Sequence, residues 1–386
     1  MNTSCRRRLA AHYVYHRRSL LRNAIVSWSS DGLVEGVESC ENIDSQAGVE
    51  FFNGILIPDM VNAHCHLELS YLKGKIPPGG GFAAFARGMG SVRSSATPQE
   101  RTDAAGRADE AMWRQGIGAV GDVCNGSSSF VVKSDSKVEY LNFVELFGLG
   151  AVGADSMTPV VAKAVDSGMR AVVTPHATYS LQDAAFRSAV EYGPRELPLS
   201  VHFMESPAEQ ELFNGEGELH EWYAERGTPI DFAGYGSPAR RITACVPPER
   251  DILLVHCCCV TEEDVDILCD HFGSHATWVL CPQSNGYISH LSPPVELLRR
   301  RGVRIAVGTD SLASNTSLDM VAELRALGDV PLEELLGWAT CNGAEALGCG
   351  RLAGFECGSH SGAVLLGGVD WDNMRLLPTS YAERIL

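Results

Sequence analysis

Between residues 52 and 310 the chain alternates short, β-rich apolar runs with stretches whose apolar positions recur at helical spacing. The runs lie at 55–66, 117–123, 138–147, 170–176, 197–203, 251–256, 276–281 and 303–309. Amphipathic stretches fall between them at Pro98–Gln115, Ser156–Ser167, Leu181–Tyr192, Thr261–Phe272, Pro293–Arg301 and Ser317–Leu327. Thr261-Glu262-Glu263-Asp264 is a strong helix start, with a capping hydroxyl followed by acids in the first turn. Such alternation is the signature of repeated βα units around a parallel sheet. Eight units in roughly 250 residues fit a (β/α)8, TIM-like barrel, assigned to residues 54–350, whose chemistry would sit at the carboxyl ends of the strands. Strand-like segments flank it at 10–53 and 351–386, each too short to hold a core alone. The expectation is that residues 1–53 and 351–386 combine into one small β-sandwich. A final helix, Pro331–Leu347 closed by Gly348, links the two parts.

Composition narrows the partners. At 386 residues with 45% hydrophobic and 20% charged positions, the chain is globular and well cored. A net charge of −17 argues against nucleic acid or an acidic membrane and in favour of a small molecule. No stretch approaches the roughly 20 apolar residues of a membrane span. Thirteen cysteines, an odd number that includes the run Cys257-Cys258-Cys259, suit a reducing cytoplasm. The arginines at the start, Arg6-Arg7-Arg8 and Arg17-Arg18, are followed by no apolar signal region and read as mature sequence.

The chemistry lies at the strand ends. His64-Cys65-His66 closes the first run, and in an extended strand both imidazoles share a face, about 7 Å apart at the backbone, free to converge on one cation. His202 and Asp310 end later runs, and an ionised Asp at a barrel mouth needs a counter-charge. Three neutral imidazoles and one carboxylate would hold a divalent ion with a position left open for water. Zinc is favoured, and iron or manganese also suits such ligands. An ion of this kind brings water to ionise near neutral pH, which makes hydrolysis the natural reaction. His64, His66, His202 and Asp310 are therefore the expected ligands, with Asp310 also accepting a hydrogen bond from the water. Glu205, three residues past His202, is placed to shuttle a proton to a leaving group, the alternative being an ordinary surface carboxylate. His256 is either a further ligand or a charge stabiliser over the attacked carbon, and the second role is favoured. His176 is either a substrate contact or a satisfied loop histidine. Cys65 should face away from the cation, and Gly79-Gly80-Gly81, with no Lys-Ser/Thr sequel, reads as a lid hinge rather than a phosphate loop.

At these residues the chain resembles the amidohydrolase superfamily from about Phe52 to Gly348. The resemblance is carried by Asn62-Ala63-His64-Cys65-His66-Leu67-Glu68-Leu69-Ser70, Thr174-Pro175-His176-Ala177, His202-Phe203-Met204-Glu205, Leu254-Val255-His256-Cys257, Cys281-Pro282-Gln283-Ser284-Asn285 and Gly308-Thr309-Asp310-Ser311. The subgroup is the mononuclear one of adenosine- and cytosine-deaminase-like and chlorohydrolase-type enzymes, and within it the chain is most similar to aminodeoxyfutalosine deaminases. The resemblance implies a deaminase that attacks an amino-bearing ring carbon of a purine nucleoside or related amino-heterocycle with a metal-bound hydroxide, the Glu matching Glu205 moving protons. It also places His176, Glu68 and Ser311 on the substrate side. Arg87 lies nearby and could pair with a substrate carboxylate. The chain departs from the pattern in three places, one of them Gly286, which follows Ser284-Asn285 where family members more often carry a larger residue. Ala83-Ala84-Phe85-Ala86 stands where thioadenosine deaminases carry a ribose-binding Glu, and Pro58-Asp59 stands where Pro-Gly is usual. The segment Met169–Thr174 contains no lysine to bridge a second metal. The competing readings are a same-fold hydrolase of another C–N or C–Cl bond and a catalytically inactive scaffold. A homodimer is the commonest symmetric arrangement.

Overall fold

The computed structural model describes residues 7–151, 153–352 and 354–386, so Arg6 and the first residues of the expected sandwich lie outside the described residues. Fifteen strands are present among the described residues. Those of the N-terminal flank are β1 (Arg7–His16), β2 (Ser19–Leu21), β3 (Ala24–Trp28), β4 (Val34–Ser39) and β5 (Glu50–Ile57). The eight of the central region are β6 (Met60–Cys65), β7 (Ile117–Cys124), β8 (Glu139–Leu146), β9 (Arg170–Pro175), β10 (Leu199–Phe203), β11 (Ile252–His256), β12 (Ala276–Leu280) and β13 (Arg304–Val307). The chain ends in β14 (Val364–Asp370) and β15 (Arg375–Arg384).

Each of the eight runs read as a central strand contains one, with ends shifted by a few residues. The exception is the first. Residues 55–57 belong to β5 of the flanking sheet, and the central strand begins only at Met60. Pro58 breaks the run because it has no N–H to donate to a ladder, and Asp59 turns inward to a buried partner, with Arg384 Nη1 2.7 Å from its Oδ1. Asp59 is where the chain departs from the usual Pro-Gly, and it ties the C-terminal strand to the central unit.

The eight strands form two parallel four-stranded sheets, β6-β7-β8-β9 and β10-β11-β12-β13. At one seam Asn62 Nδ2 donates to Thr309 Oγ1 at 2.7 Å while the Thr309 N–H donates to Asn62 Oδ1 at 3.1 Å. At the other, Thr174 Oγ1 donates to the Ser200 carbonyl at 2.6 Å and accepts the Ser200 N–H at 2.9 Å. Isolated bridges Cys65–Asp310 and Ala177–His202 continue the seams. Val61, Ala119, Phe143, Val172, Val255 and Val279 meet in one cluster between the sheets, as inward positions of a TIM-barrel-type α/β fold do. A larger cluster, with Met112, Phe186 and Leu268 from the helices, fills the layer outside the strands.

The helices follow their sequence signals. Pro98–Arg114 starts with a capping box between Thr97 and Glu100 and carries Pro98 in its first turn; Glu262–Phe272 starts with the box formed by Thr261 and Asp264. The expected helix 331–347 runs through Leu332–Gly337, a π segment Trp338–Asn342 and Gly343–Leu347, ending on left-handed Gly348. In the π segment Asn342 donates to the Ile305 carbonyl and accepts from Arg18, which joins the central and flanking parts.

The two terminal segments share hydrogen bonds in one seven-stranded sheet, in the order β15-β14-β5-β1-β3-β4 with β2 on β1. Among the described residues no helix is long and apolar enough to cross a membrane.

Candidate metal centre and active site

The seam between β6 and β13 brings the first ligand candidates together. The His64 carbonyl accepts the N–H groups of both Thr309 and Asp310 at 3.0 Å. So close an approach requires glycine at 308, where a Cβ would lie 2.7 Å from His64 Cβ and 2.8 Å from its carbonyl oxygen. Asp310 then takes a left-handed backbone, φ 55°, and turns its carboxylate into the mouth. Its Oδ2 accepts from Ser284 Oγ at 2.5 Å and Ser314 Oγ at 2.8 Å. The other oxygen, Oδ1, lies 3.6 Å from His66 Nε2 and 3.9 Å from His64 Nε2.

His202 joins from β10. Its Nδ1 is 2.9 Å from the His176 carbonyl, which puts the proton on Nδ1 and leaves the Nε2 lone pair 3.3 Å from His66 Nε2. Both ring nitrogens of His64 are buried with no hydrogen-bond partner among the described residues. Burial, reinforced by the neighbouring imidazoles, holds the pKa values of His64 and His202 below the ordinary histidine value. Burial lowers His66 as well, so at neutral pH all three rings are neutral, the form that coordinates a cation. Donor atoms 3.3–3.9 Å apart match the edges around a cation with bonds of roughly 2.1 Å. Orphaned nitrogens, neutral rings and a carboxylate with one free oxygen fit a divalent ion.

His256 and Glu205 stand beside this group. The Asn285 amide lies 3.0 Å from His256 Nδ1, and with the amide as donor the imidazole proton sits on Nε2, 3.8 Å from Glu205 Oε1. In that tautomer Nε2 is a donor; in the other, His256 would join His64 and His202, whose ring nitrogens lie within 4.8 Å of its own, as a third possible ligand. Glu205 is buried, not the surface carboxylate of the alternative reading. Burial first, and then the charge of Asp310, raise its pKa to about 7, near the value suited to proton transfer. It is aimed by Met204, whose left-handed φ of 50° reverses the chain after β10.

His66, His202, Glu205, His256 and Asp310 line a cavity of about 770 Å³, from which the fully buried His64 is shielded. The cavity walls come in part from two helices, Phe82–Val92 and Gly217–Glu225, which fall outside the amphipathic stretches read from the sequence. His176, Ser311 and Arg87 line the cavity. Ser180 Oγ lies 3.1 Å from His176 Nδ1, and burial lowers the His176 pKa to about 4. Glu68 is placed differently. It does not line the cavity; its carboxylate accepts the backbone N–H of Asn125 at 3.2 Å, and burial raises its pKa to about 7. Cys65 is fully buried. The triglycine is anchored, since Gly79 and Gly81 donate to the carbonyls of Tyr287 and Ile288, so it does not read as a free hinge.

Several residues at the site were not found from sequence. Arg93 and Arg226 line the cavity beside Arg87, and Glu145 lines it close to His202, with Oε1 3.5 Å from His202 Nδ1 and Oε2 accepting from Asn125 at 2.7 Å. Glu145 is the last residue but one of β8 and His176 directly follows β9, so a search of every strand end for charged residues would have found it.

Residues 55–360 match the model of the amidohydrolase family. An adenosine deaminase of Helicobacter pylori is 27% identical over 314 residues, covering 77% of this chain and 75% of its own. An aminodeoxyfutalosine deaminase of Nitratiruptor sp. is 26% identical over 341 residues, covering 82% and 81%. Among solved structures, the H. pylori aminofutalosine deaminase in complex with methylthio-coformycin superposes with a TM-score of 0.81 at 24% identity over 94% of this chain and 93% of that one. An adenosine deaminase of Xanthomonas campestris with bound zinc superposes with a TM-score of 0.73 at 22% identity, over 93% and 84%. The chain belongs to the amidohydrolase family.

Proposed function

We propose that the protein is a zinc-dependent deaminase of purine nucleosides or closely related amino-heterocycles, with aminodeoxyfutalosine the first substrate to test. The observation that carries this reading is the convergence of His66, His202 and Asp310 at a cavity wall with the fully buried His64 beside them, its Nε2 3.9 Å from Asp310 Oδ1. These four residues would hold the ion, which when bound supplies the Lewis acidity that makes water ionise near neutral pH.

The chain's own groups account for the remaining steps. Asp310 Oδ1, with Oδ2 held by two serine hydroxyls, orients the attacking water through a hydrogen bond. Glu205 takes a proton from that water and delivers it to the departing nitrogen, so water adds to the ring carbon and ammonia leaves. His256 Nε2–H faces the same space and stabilises negative charge as it develops on the ring. His176, its Nδ1 beside Ser180, offers Nε2 to the substrate.

The size of the cavity supports a substrate larger than a bare base, because a ligand site buries most of its ligand's surface. Phe82, Phe85 and Trp222 line the outer part for a flat or apolar group, and Arg87, Arg93 and Arg226 suit an acidic substituent. The helix Phe82–Val92 has no carboxylate, and so nothing to serve as the ribose-binding Glu of thioadenosine deaminases.

Ammonia release from adenosine, methylthioadenosine, aminodeoxyfutalosine, guanine and cytosine by the zinc-loaded protein tests the proposal, with chloride release from a chlorotriazine as control. Fastest turnover of an aminopurine nucleoside is the expected result. Chloride release without ammonia would replace it with the chlorohydrolase reading, and neither product would leave an inactive scaffold.

A further inference from the structure

Glu209 is fully enclosed, contributes nothing to the cavity lining, and yet is hydrogen-bonded to the turn that carries Glu205. Its Oε2 accepts the Met204 N–H at 2.7 Å, and its Oε1 accepts the hydroxyl of Thr178. Met204 is the left-handed residue between Phe203 and Glu205. A non-glycine residue in this conformation is strained and persists only where its surroundings hold it. The Met204 carbonyl is held as well, accepting the Cys259 N–H at 2.9 Å. On the other side, Thr178 belongs to the loop that follows β9 and bears His176. That loop is clamped by the buried Arg241, which donates to the Thr178 carbonyl at 2.5 Å and the Leu181 carbonyl at 2.9 Å.

We propose that Glu209 is a positioning residue: by gripping the Met204 amide against the Thr178 loop, it fixes the reversal of chain that holds the Glu205 carboxylate at the cavity floor. The proposal rests on the proton-transfer role given to Glu205 above. Without Glu209 the Met204 N–H loses its acceptor in a buried site, the turn can relax towards ordinary backbone angles, and Glu205 swings with it. A carboxylate is not required for this grip. Burial pushes the Glu209 pKa up to about 8, so a neutral acid occupies the position at neutral pH; its carbonyl oxygen can accept the Met204 N–H while its O–H donates to the Thr178 hydroxyl, and the oxygen and NH2 of glutamine can do the same.

The test compares Glu209→Ala, Glu209→Gln and Glu209→Asp in the zinc-loaded protein, using whichever aminopurine nucleoside is turned over fastest. Misplacing a catalytic group by about 1 Å can cost 10²-fold, so Glu209→Ala is expected to lower kcat by about 10- to 100-fold. KM and zinc stoichiometry should stay at wild-type values. Glu209→Gln should restore kcat, and Glu209→Asp, which falls short of Met204, should not; this pair carries the test if the alanine variant does not fold. In a Glu205→Gln background, Glu209→Ala should lower kcat no further, because the group it positions is already disabled. Hydrogen exchange of the Met204 and Glu205 amides should accelerate in Glu209→Ala while that of β10 stays protected, and this reads the positioning whether or not any nucleoside is turned over. An unchanged kcat, a further loss on top of Glu205→Gln, or unchanged exchange at Met204 would overturn the proposal.

Discussion

Lys133 and Asp122 form a fully buried ion pair, Nζ to Oδ2 2.5 Å, directly behind the metal-ligand candidates. Lys133 also donates to Asn142 Oδ1 at 2.6 Å, and Asp122 Oδ1 accepts the Leu67 N–H, the amide immediately after His66, at 2.7 Å. Consider Lys133→Met. Burial already works to raise the Asp122 pKa, and Lys133 is what opposes it. With the cation gone, an ionised Asp122 would be too costly in the interior, and the folded protein would instead take up a proton. The cost of that proton bounds the damage: from an ordinary value of 3.8 it is about 4 kcal/mol at pH 7 and about 2 kcal/mol at pH 5. The sign follows from linkage. The folded variant keeps a proton that the unfolded chain releases above about pH 4, so its stability deficit grows as pH rises from 4 to 7 and shrinks as pH falls. Urea denaturation at pH 5 and pH 7, followed by tryptophan fluorescence, measures both numbers. Asp122→Asn combined with Lys133→Met removes the unpaired charge and should recover most of the loss. A deficit below about 1 kcal/mol at pH 7, or one independent of pH, would refute the reasoning.

Further expectations can be checked on the same protein. His64→Ala should lose bound metal and activity together, read by elemental analysis of the dialysed variant, and stoichiometric metal in it would remove His64 from the ligand set. Glu205→Gln should keep its metal and fold while losing about 10²-fold or more in kcat. Glu205 must be ionised to accept a proton, so activity should fall as pH drops through its pKa. That pKa is about 7 from burial and is lowered further by a bound cation, so the acid limb of kcat/KM should have its midpoint at or below 7 and be missing from Glu205→Gln. Chelation should abolish turnover and lower the melting temperature, and zinc added back should restore both, because an ion that binds only the folded state stabilises it by mass action.

The strand pattern was legible because burial is written into composition: eight apolar runs, each bounded by turn residues, mark eight buried strands wherever they come to lie. His64, His66, His202, His256 and Asp310 were legible for a related reason, since each follows or ends such a run and strand ends of one parallel sheet share a rim. Pro58 was the legible signal that was misjudged; a residue without an N–H cannot sit inside a continuous ladder, and it divides β5 from β6. The cavity walls were not legible. The helix Gly217–Glu225 begins at a glycine without a side-chain cap and has a single buried side chain, Leu219, so no apolar face announces it.

The sequence by itself determined the periodic order of strands and helices and the kinds of side chain available at their ends, because these depend on local spacing and local burial. Only the tertiary structure decided which of those side chains meet. The distance from His66 Nε2 to His202 Nε2, 3.3 Å across 136 residues, depends on how two sheets join. So do the proton left on His202 Nδ1 by a carbonyl of the neighbouring strand end, the burial that lifts Glu205 to about 7, and the pairing of Lys133 with Asp122. These are through-space quantities, set by solvent exclusion and by groups remote in sequence, and no window along the chain contains them.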